Sequence, residues 1–187
     1  MKVHPSTKSY DREFFFEEEI FPKNSICVEI GIFRGILADR IVDKLTPKMY
    51  HMIDPWKHRP KWKHQEYKGR KLISQKDVDW LYKDICKRFN KPNVKIHRGY
   101  SQIVVHEFKN EYFDLIYVDG RHTYKQVLED LRLFYPKLKV GGIMSGDDYM
   151  IEKPHTGVIR AVNKFAEEIG IEFNVRSRQF WWTKLGG

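Results

Sequence analysis

Two short apolar runs, each ending in acids, limit what this chain can fold into more than any other feature. Residues 113–149 read FDLIYVDGRHTYKQVLEDLRLFYPKLKVGGIMSGDDY. The pattern predicts a strand over 113–118 ending in Asp119-Gly120-Arg121-His122, then a helical stretch, then a strand over 140–144 ending in Gly146-Asp147-Asp148. A helix between two strands is the connection that parallel pairing requires. Both strands then deliver their acids to the carboxyl edge of one sheet, where open α/β sheets bind ligands. Three carboxylates gathered there repel one another unless a cation or shared protons intervene. With oxygen donors only, Asp119, Asp147 and Asp148 suit Mg2+ or Mn2+, water or substrate completing the shell. The plainer alternative is a solvated turn at 147–148 with His122 at a helix start.

The remainder alternates strand and helix. A short helix over 10–20, its acids exposed, stops at Pro22. Strands follow over 25–30, 49–53 and 94–97. Helical periodicity covers 36–45 (Ile36, Leu37, Ile41, Val42, Leu45), 77–89 (Val78, Leu81, Ile85, Phe89), 103–108 and 156–169 (Val158, Ile159, Val162, Phe165, Ala166). Strands over 171–175 and 179–183, split by Arg176-Ser177-Arg178, read as a closing hairpin. This order predicts a three-layer α/β fold with a mainly parallel sheet. One domain over 1–187 is expected, with an N-terminal helical segment over 1–24 and a basic, lid-like insertion over 56–74. No apolar run approaches a membrane span, and the N-terminus lacks the apolar core of a secretory signal. Cys27 and Cys86 fit no disulfide or metal pattern and are expected as buried thiols, which fits a cytoplasmic protein.

Further chemistry sits at strand ends. Glu29-x-Gly31-x-x-x-Gly35 falls where a strand turns into a helix; its glycines allow close approach of backbone to a ligand. Nicotinamide-binding turns prefer G-x-G-x-x-G instead, and an ordinary tight turn is the alternative. Asp54 ends the second strand, where an acid can accept from a ribose diol. Residues 57–71 carry seven Lys or Arg against one Glu, with Trp62 and Tyr67 interleaved. They are either a lid over an anionic or glycan acceptor or a solvated loop. The net charge of +9 favours anionic partners without choosing among them. His58, His64, His97, His106 and His155 show no ligand spacing.

Strand–ExGxxxG–helix, strand–Asp, Gly99-Tyr-Ser-Gln, strand–VDG and KVGGIMSGDD in this order resemble the class I S-adenosylmethionine-dependent methyltransferases, over nearly the whole chain. Within them, DGRHTY and GGIMSGDDY resemble the metal-dependent O-methyltransferases of macrolide and antibiotic sugars, and more distantly the catechol-type enzymes. The resemblance implies a Rossmann-like, mainly parallel seven-stranded sheet with an antiparallel C-terminal strand. It implies that Glu29, Gly31 and Gly35 line the methionine part of the cofactor, Asp54 its ribose, and Ser101 with Gln102 its adenine. It further implies that Asp119, Asp147 and Asp148 hold Mg2+ (or Mn2+), with Asp119 also beside the cofactor, and that His122 is the general base. Arg121 departs from the catechol pattern, which has a tryptophan there.

The expected reaction moves a methyl group from S-adenosylmethionine to a hydroxyl of a vicinal diol, on a sugar or glycan acceptor. An alcohol holds its proton too tightly to attack at neutral pH, and a nearby divalent charge weakens that hold. His122 can then accept the proton. Neighbouring carboxylates raise its pKa and a divalent cation lowers it. Two alternatives remain: an RNA methyltransferase whose 57–71 segment tracks phosphates, and a binding module on the same scaffold.

Overall fold

The computed structural model describes residues 2–3, 12–60, 65–150 and 156–186. The apolar runs become the parallel strands β2 (Ile26–Ile30), β3 (Met49–Asp54), β6 (Val94–Arg98), β7 (Phe113–Val118) and β8 (Leu138–Gly146). The central strands β2, β3 and β7 are buried on both faces, which explains why they read as continuous apolar runs, whereas the edge strand β6 buries only His97. The hairpin β9 (Asn174–Arg176) and β10 (Gln179–Thr183) closes the sheet, β10 running antiparallel beside β8. The order β9-β10-β8-β7-β2-β3-β6 is the expected seven strands; a two-residue strand β1 (Lys2–Val3) extends the edge at β9.

Helices cover both faces. α5 (Tyr124–Phe134) and α6 (Thr156–Ile169) pack on one side through Val127, Leu131, Phe134, Val158, Val162 and Phe165. On the other lie α2 (Ile36–Leu45), α3 (Gln75–Arg88) and the short α1 (Phe14–Glu17), whose Phe14 and Phe15 are buried with Phe21 against Trp181. Burying three phenylalanines contributes about 2 kcal/mol each, which docks the start of the chain on the sheet.

Several boundaries differ from the sequence reading. Of the helix expected over 10–20, residues 10 and 11 lie outside the described residues and only Phe14–Glu17 is helical; Glu19 adopts a left-handed φ of 52° that ends it. The helix expected over 103–108 begins at Ser101, as α4 (Ser101–Val104), and tightens into a 3-10 turn over Val105–Glu107. The first hairpin strand starts at Asn174 because Gly170 (φ 65°) and Ile171, bonded back to Ala166, are used in leaving α6. Ile36, expected on the apolar face of α2, opens the helix with 66% of its surface exposed. Cys27 is buried, but Cys86 is only half-buried on α3.

The described part of the basic stretch is not a free, solvated loop. Residues 61–64 of the stretch, Trp62 and His64 among them, lie outside the described residues, as does His155. Residues 66–71 form a hairpin, β4 (Glu66–Tyr67) with β5 (Arg70–Lys71), in which Tyr67 is buried, as is Leu72 just after it. Tyr67 donates to Asp84 at 2.7 Å and accepts from Arg88 at 2.7 Å. Lys68 pairs with Asp84 and Arg70 with Asp77. No helix among the described residues is long and apolar enough to cross a membrane.

Candidate active site

Strand register builds the site. Ile30 pairs with Ile53 on one side and Val118 on the other, and Val118 pairs with Gly146. The next residues, Gly31, Asp54, Asp119 and Asp147, therefore stand in one row along the carboxyl edge. The row straddles β2 and β7, where the strand order reverses direction, the place where such sheets bind ligands.

Gly31 joins the two halves of that row. Its φ is +95°, and a Cβ on it would lie 2.0 Å from the carbonyl oxygen of Asp119. Glycine is what lets the turn after β2 touch the acidic loop after β7. Asp54 organises the same turn: its carboxylate accepts from the backbone N–H of Phe33 at 2.9 Å and of Trp56 at 2.6 Å. Both donors carry left-handed φ values, 45° and 40°, the kind of backbone strain that collects at ligand sites. Burial raises the Asp54 pKa and these bonds partly offset it. An ionised carboxylate has roughly four acceptor positions, so two bonds leave room for a diol. Glu29 is buried in β2 and accepts from the Tyr50 hydroxyl; burial pushes its pKa up to about 8. Gly35 caps α2 in the left-handed region, its carbonyl and that of Arg34 held by Arg88. Ser101 and Gln102 open α4 at the end of β6, one strand beyond Asp54.

The acidic loop is tightly tied. His122 Nδ1 lies 2.9 Å from Asp148 Oδ2 and its Nε2 lies 3.3 Å from Asp119 Oδ1. Burial alone would lower the His122 pKa, but the two carboxylates outweigh it and push the imidazole up to about 10. Asp147 is bonded by Arg12, by Gln179 and, at 2.7 Å, by the backbone N–H of Asp148. Its pKa is pushed up to about 6, by burial first and by Asp119 second. Asp148 adopts φ 60° and pairs with Arg178. Thr123 caps α5 immediately after His122, and Gly157 of α6 packs on the backbone of this loop, where a Cβ would come within 2.7 Å of the His122 carbonyl.

All the acids expected from sequence reach this edge, but in a different grouping. Among the described residues, Asp119, His122 and Asp148 offer donor atoms within 4.8 Å of one another. Two carboxylates and an imidazole suit a divalent cation such as Mn2+ or Mg2+, with positions left for water or substrate. Asp147 stands beside this trio with its charge turned to Arg12, whose Nη2 also lies 3.4 Å from Asp119. The guanidinium is thus a stand-in cation between two of the expected ligands. Arg121 is exposed at the outer side of the loop. Arg59 from the basic segment approaches it: burial first, and then the Arg121 charge, lower the Arg59 pKa.

Sequence reasoning missed Arg12, Arg178 and Gln179. Arg12 reaches Asp147 from 135 residues away, and Gln179 from 32, so no local spacing could have signalled them. Gln179 is fixed as an amide donor to Asp147 because its oxygen accepts from Tyr117. The sequence break at Arg176-Ser177-Arg178 marked the hairpin but not its contacts; in the structure Ser177 and Arg178, both at positive φ, form its two-residue turn.

Comparison with known proteins fits this architecture. The structure of the O-methyltransferase NovP superposes with a TM-score of 0.63 at 19% identity, covering 93% of this chain and 76% of that one. A candidate S-adenosyl-L-methionine-dependent methyltransferase from Methanococcus maripaludis superposes at 0.61 with 17% identity, covering 94% and 84%. A protein of uncharacterised function from Acanthamoeba polyphaga mimivirus is 36% identical over 56 residues, 30% of this chain and 25% of that protein. The chain thus matches about a quarter of the length of this curated relative. The family described as "Methyltransferase domain" matches residues 28–149, from the middle of β2 through the Asp147-Asp148 turn. The chain belongs to the methyltransferase-domain family.

Proposed function

We propose that this protein transfers a methyl group from S-adenosylmethionine to a hydroxyl of a vicinal diol, most simply on a sugar or glycan, with a divalent cation at Asp119, Asp147 and Asp148. One observation carries this reading: the glycine turn after β2 packs directly on the loop that holds Asp119 and His122. A cofactor methyl and an acceptor hydroxyl would meet there. NovP, an O-methyltransferase, shares the fold and supports an oxygen acceptor.

Each group has a physical task. Glu29, Gly31 and Gly35 border the methionine part, Asp54 accepts from the ribose, and Ser101 with Gln102 borders the adenine. Mg2+ would supply the positive charge that eases loss of a proton from the acceptor. Asp119 and Asp148 would hold such an ion, Asp147 would join on release from Arg12, and His122 would stand beside it as the base. His122 takes the acceptor proton once its carboxylate partners are engaged elsewhere and its pKa falls. Hydrogen bonds to Asp54, Asp147 and His122 fix these groups, and positioning is a large part of methyl-transfer catalysis.

The RNA alternative draws less support, because Lys68 and Arg70 of the basic hairpin are spent on Asp84 and Asp77 rather than presented to phosphates. The deciding experiment measures S-adenosylmethionine turnover against a panel of sugars, catechols and RNAs, with and without Mg2+. Turnover of a diol that stops in excess EDTA is expected. Methylation of RNA alone, or full activity in EDTA, would reject the proposal.

A further inference from the structure

Asp130 is a buried acid with no part in the chemistry above. It sits on α5, is 1% exposed, and joins three elements of the cofactor side. Ser101 at the start of α4 donates to its Oδ1 at 2.5 Å, and Gln126 also donates there at 3.3 Å. Its Oδ2 faces the loop of Asp119: a Cβ on Gly120 would lie 3.6 Å from it.

This contact decides what Ser101 can offer to a ligand. A hydroxyl has one proton and two acceptor lone pairs. Two acceptors are near Ser101 Oγ, Asp130 Oδ1 at 2.5 Å and Gln102 Oε1 at 3.4 Å. Burial pushes the Asp130 carboxyl up to about 7, partly offset by its bonds to Ser101 and Gln126; above that pH it is a carboxylate, and the short, charge-assisted bond takes the Ser101 proton. Ser101 Oγ then presents only lone pairs to anything bound at the end of β6. That end lies one strand beyond Asp54, and on the S-adenosylmethionine reading the base of the cofactor lies there.

We infer that Asp130 is a specificity-determining positioning residue: it fixes Ser101 as a hydrogen-bond acceptor, so the base subsite takes an exocyclic amino group and rejects a carbonyl in its place. This rests on the S-adenosylmethionine reading. Adenine carries a 6-amino group, whereas hypoxanthine carries a 6-oxo group whose lone pairs would face those of Ser101. Reversing the hydroxyl to suit the oxo group would leave a buried carboxylate without its best donor, and such unpaired groups are costly.

The test is calorimetric binding of S-adenosylhomocysteine and S-inosylhomocysteine to the wild type, Asp130→Asn and Ser101→Ala. The wild type should prefer the adenosyl compound by roughly a hundredfold or more. Asp130→Asn, whose amide can donate to Ser101 and free the hydroxyl proton, should cut that preference about tenfold. Ser101→Ala should cut it likewise and does not depend on the buried acid's fit. A merely structural Asp130 would weaken both compounds together and leave the ratio unchanged. An unchanged ratio in either variant overturns the inference alone. Failure of the wild type to bind either compound overturns the cofactor reading and this inference with it.

Discussion

Arg12 and Asp147, 135 residues apart, are ion-paired at the carboxyl edge, and the same guanidinium nitrogen lies 3.4 Å from Asp119. A cation coordinated by both acids would have to displace it. Arg12→Ala is therefore expected to tighten Mn2+ binding roughly tenfold, equivalent to about 1.4 kcal/mol, in a spin-resonance titration. Without metal the same variant leaves a buried carboxylate unpaired, so its melting temperature should fall, and Mn2+ should restore it. Equal Mn2+ affinity in variant and wild type would show that Arg12 does not compete for these acids.

His122 answers to two carboxylates, and its titration should report them. Its pKa is raised above the unfolded value, so its contribution to stability is full below about 6.5 and is lost as pH rises through about 10. By NMR without divalent ions, the imidazole should stay protonated past pH 8. Asp148→Asn removes the partner at 2.9 Å and should lower the midpoint by about one unit or more. Mn2+-free protein in which His122 titrates near its ordinary value would contradict the described geometry.

Gly31 and Gly69 separate backbone strain from collision. Both have positive φ, +95° and +74°, but a Cβ on Gly69 meets nothing within 4 Å, whereas on Gly31 it meets the Asp119 backbone. Gly69→Ala should cost only the strain, about 1–2 kcal/mol. Gly31→Ala must also move the acidic loop. It should lose more stability in urea unfolding and weaken both S-adenosylhomocysteine and Mn2+ binding. Similar losses for the two variants would mean that the loops do not depend on this contact.

How far the chain could be read in advance follows from the range of each interaction. The run from Phe113 to Val118 and the row Gly31, Asp54, Asp119 and Asp147 were legible because strand ends and turn residues are local signals. Asp130 carried a signal that the sequence reading did not use: three residues after Val127 and four before Phe134, it lies on the buried face of α5, where an acid is out of place. Arg12 and Gln179 were silent. Their side chains matter through folding of the two chain ends onto the sheet, driven by Phe14, Phe15 and Trp181. The basic segment left a lid and a solvated loop open, because charge alone does not report partners; Tyr67, Lys68 and Arg70 find theirs on α3.

Arg88 turns that segment into part of the cofactor side. One edge of its guanidinium donates to Tyr67 at 2.7 Å and another to the carbonyls of Arg34 at 2.6 Å and Gly35 at 3.0 Å. The fork fixes the hairpin to the turn that begins α2. A lysine has one ammonium group and cannot span the two sets of acceptors with fixed geometry. Arg88→Lys should therefore behave nearly like Arg88→Ala: each should weaken S-adenosylhomocysteine binding about tenfold, from loss of charge-assisted bonds worth about 1.5–3 kcal/mol. Each should also speed tryptic cleavage between 56 and 74. Tyr67→Phe, which loses the hydroxyl but keeps Arg88 on the turn, should speed cleavage while leaving cofactor affinity within about twofold. If Tyr67→Phe weakens cofactor binding as much as Arg88→Ala does, the hairpin itself contacts the cofactor, and Arg88 is only its anchor.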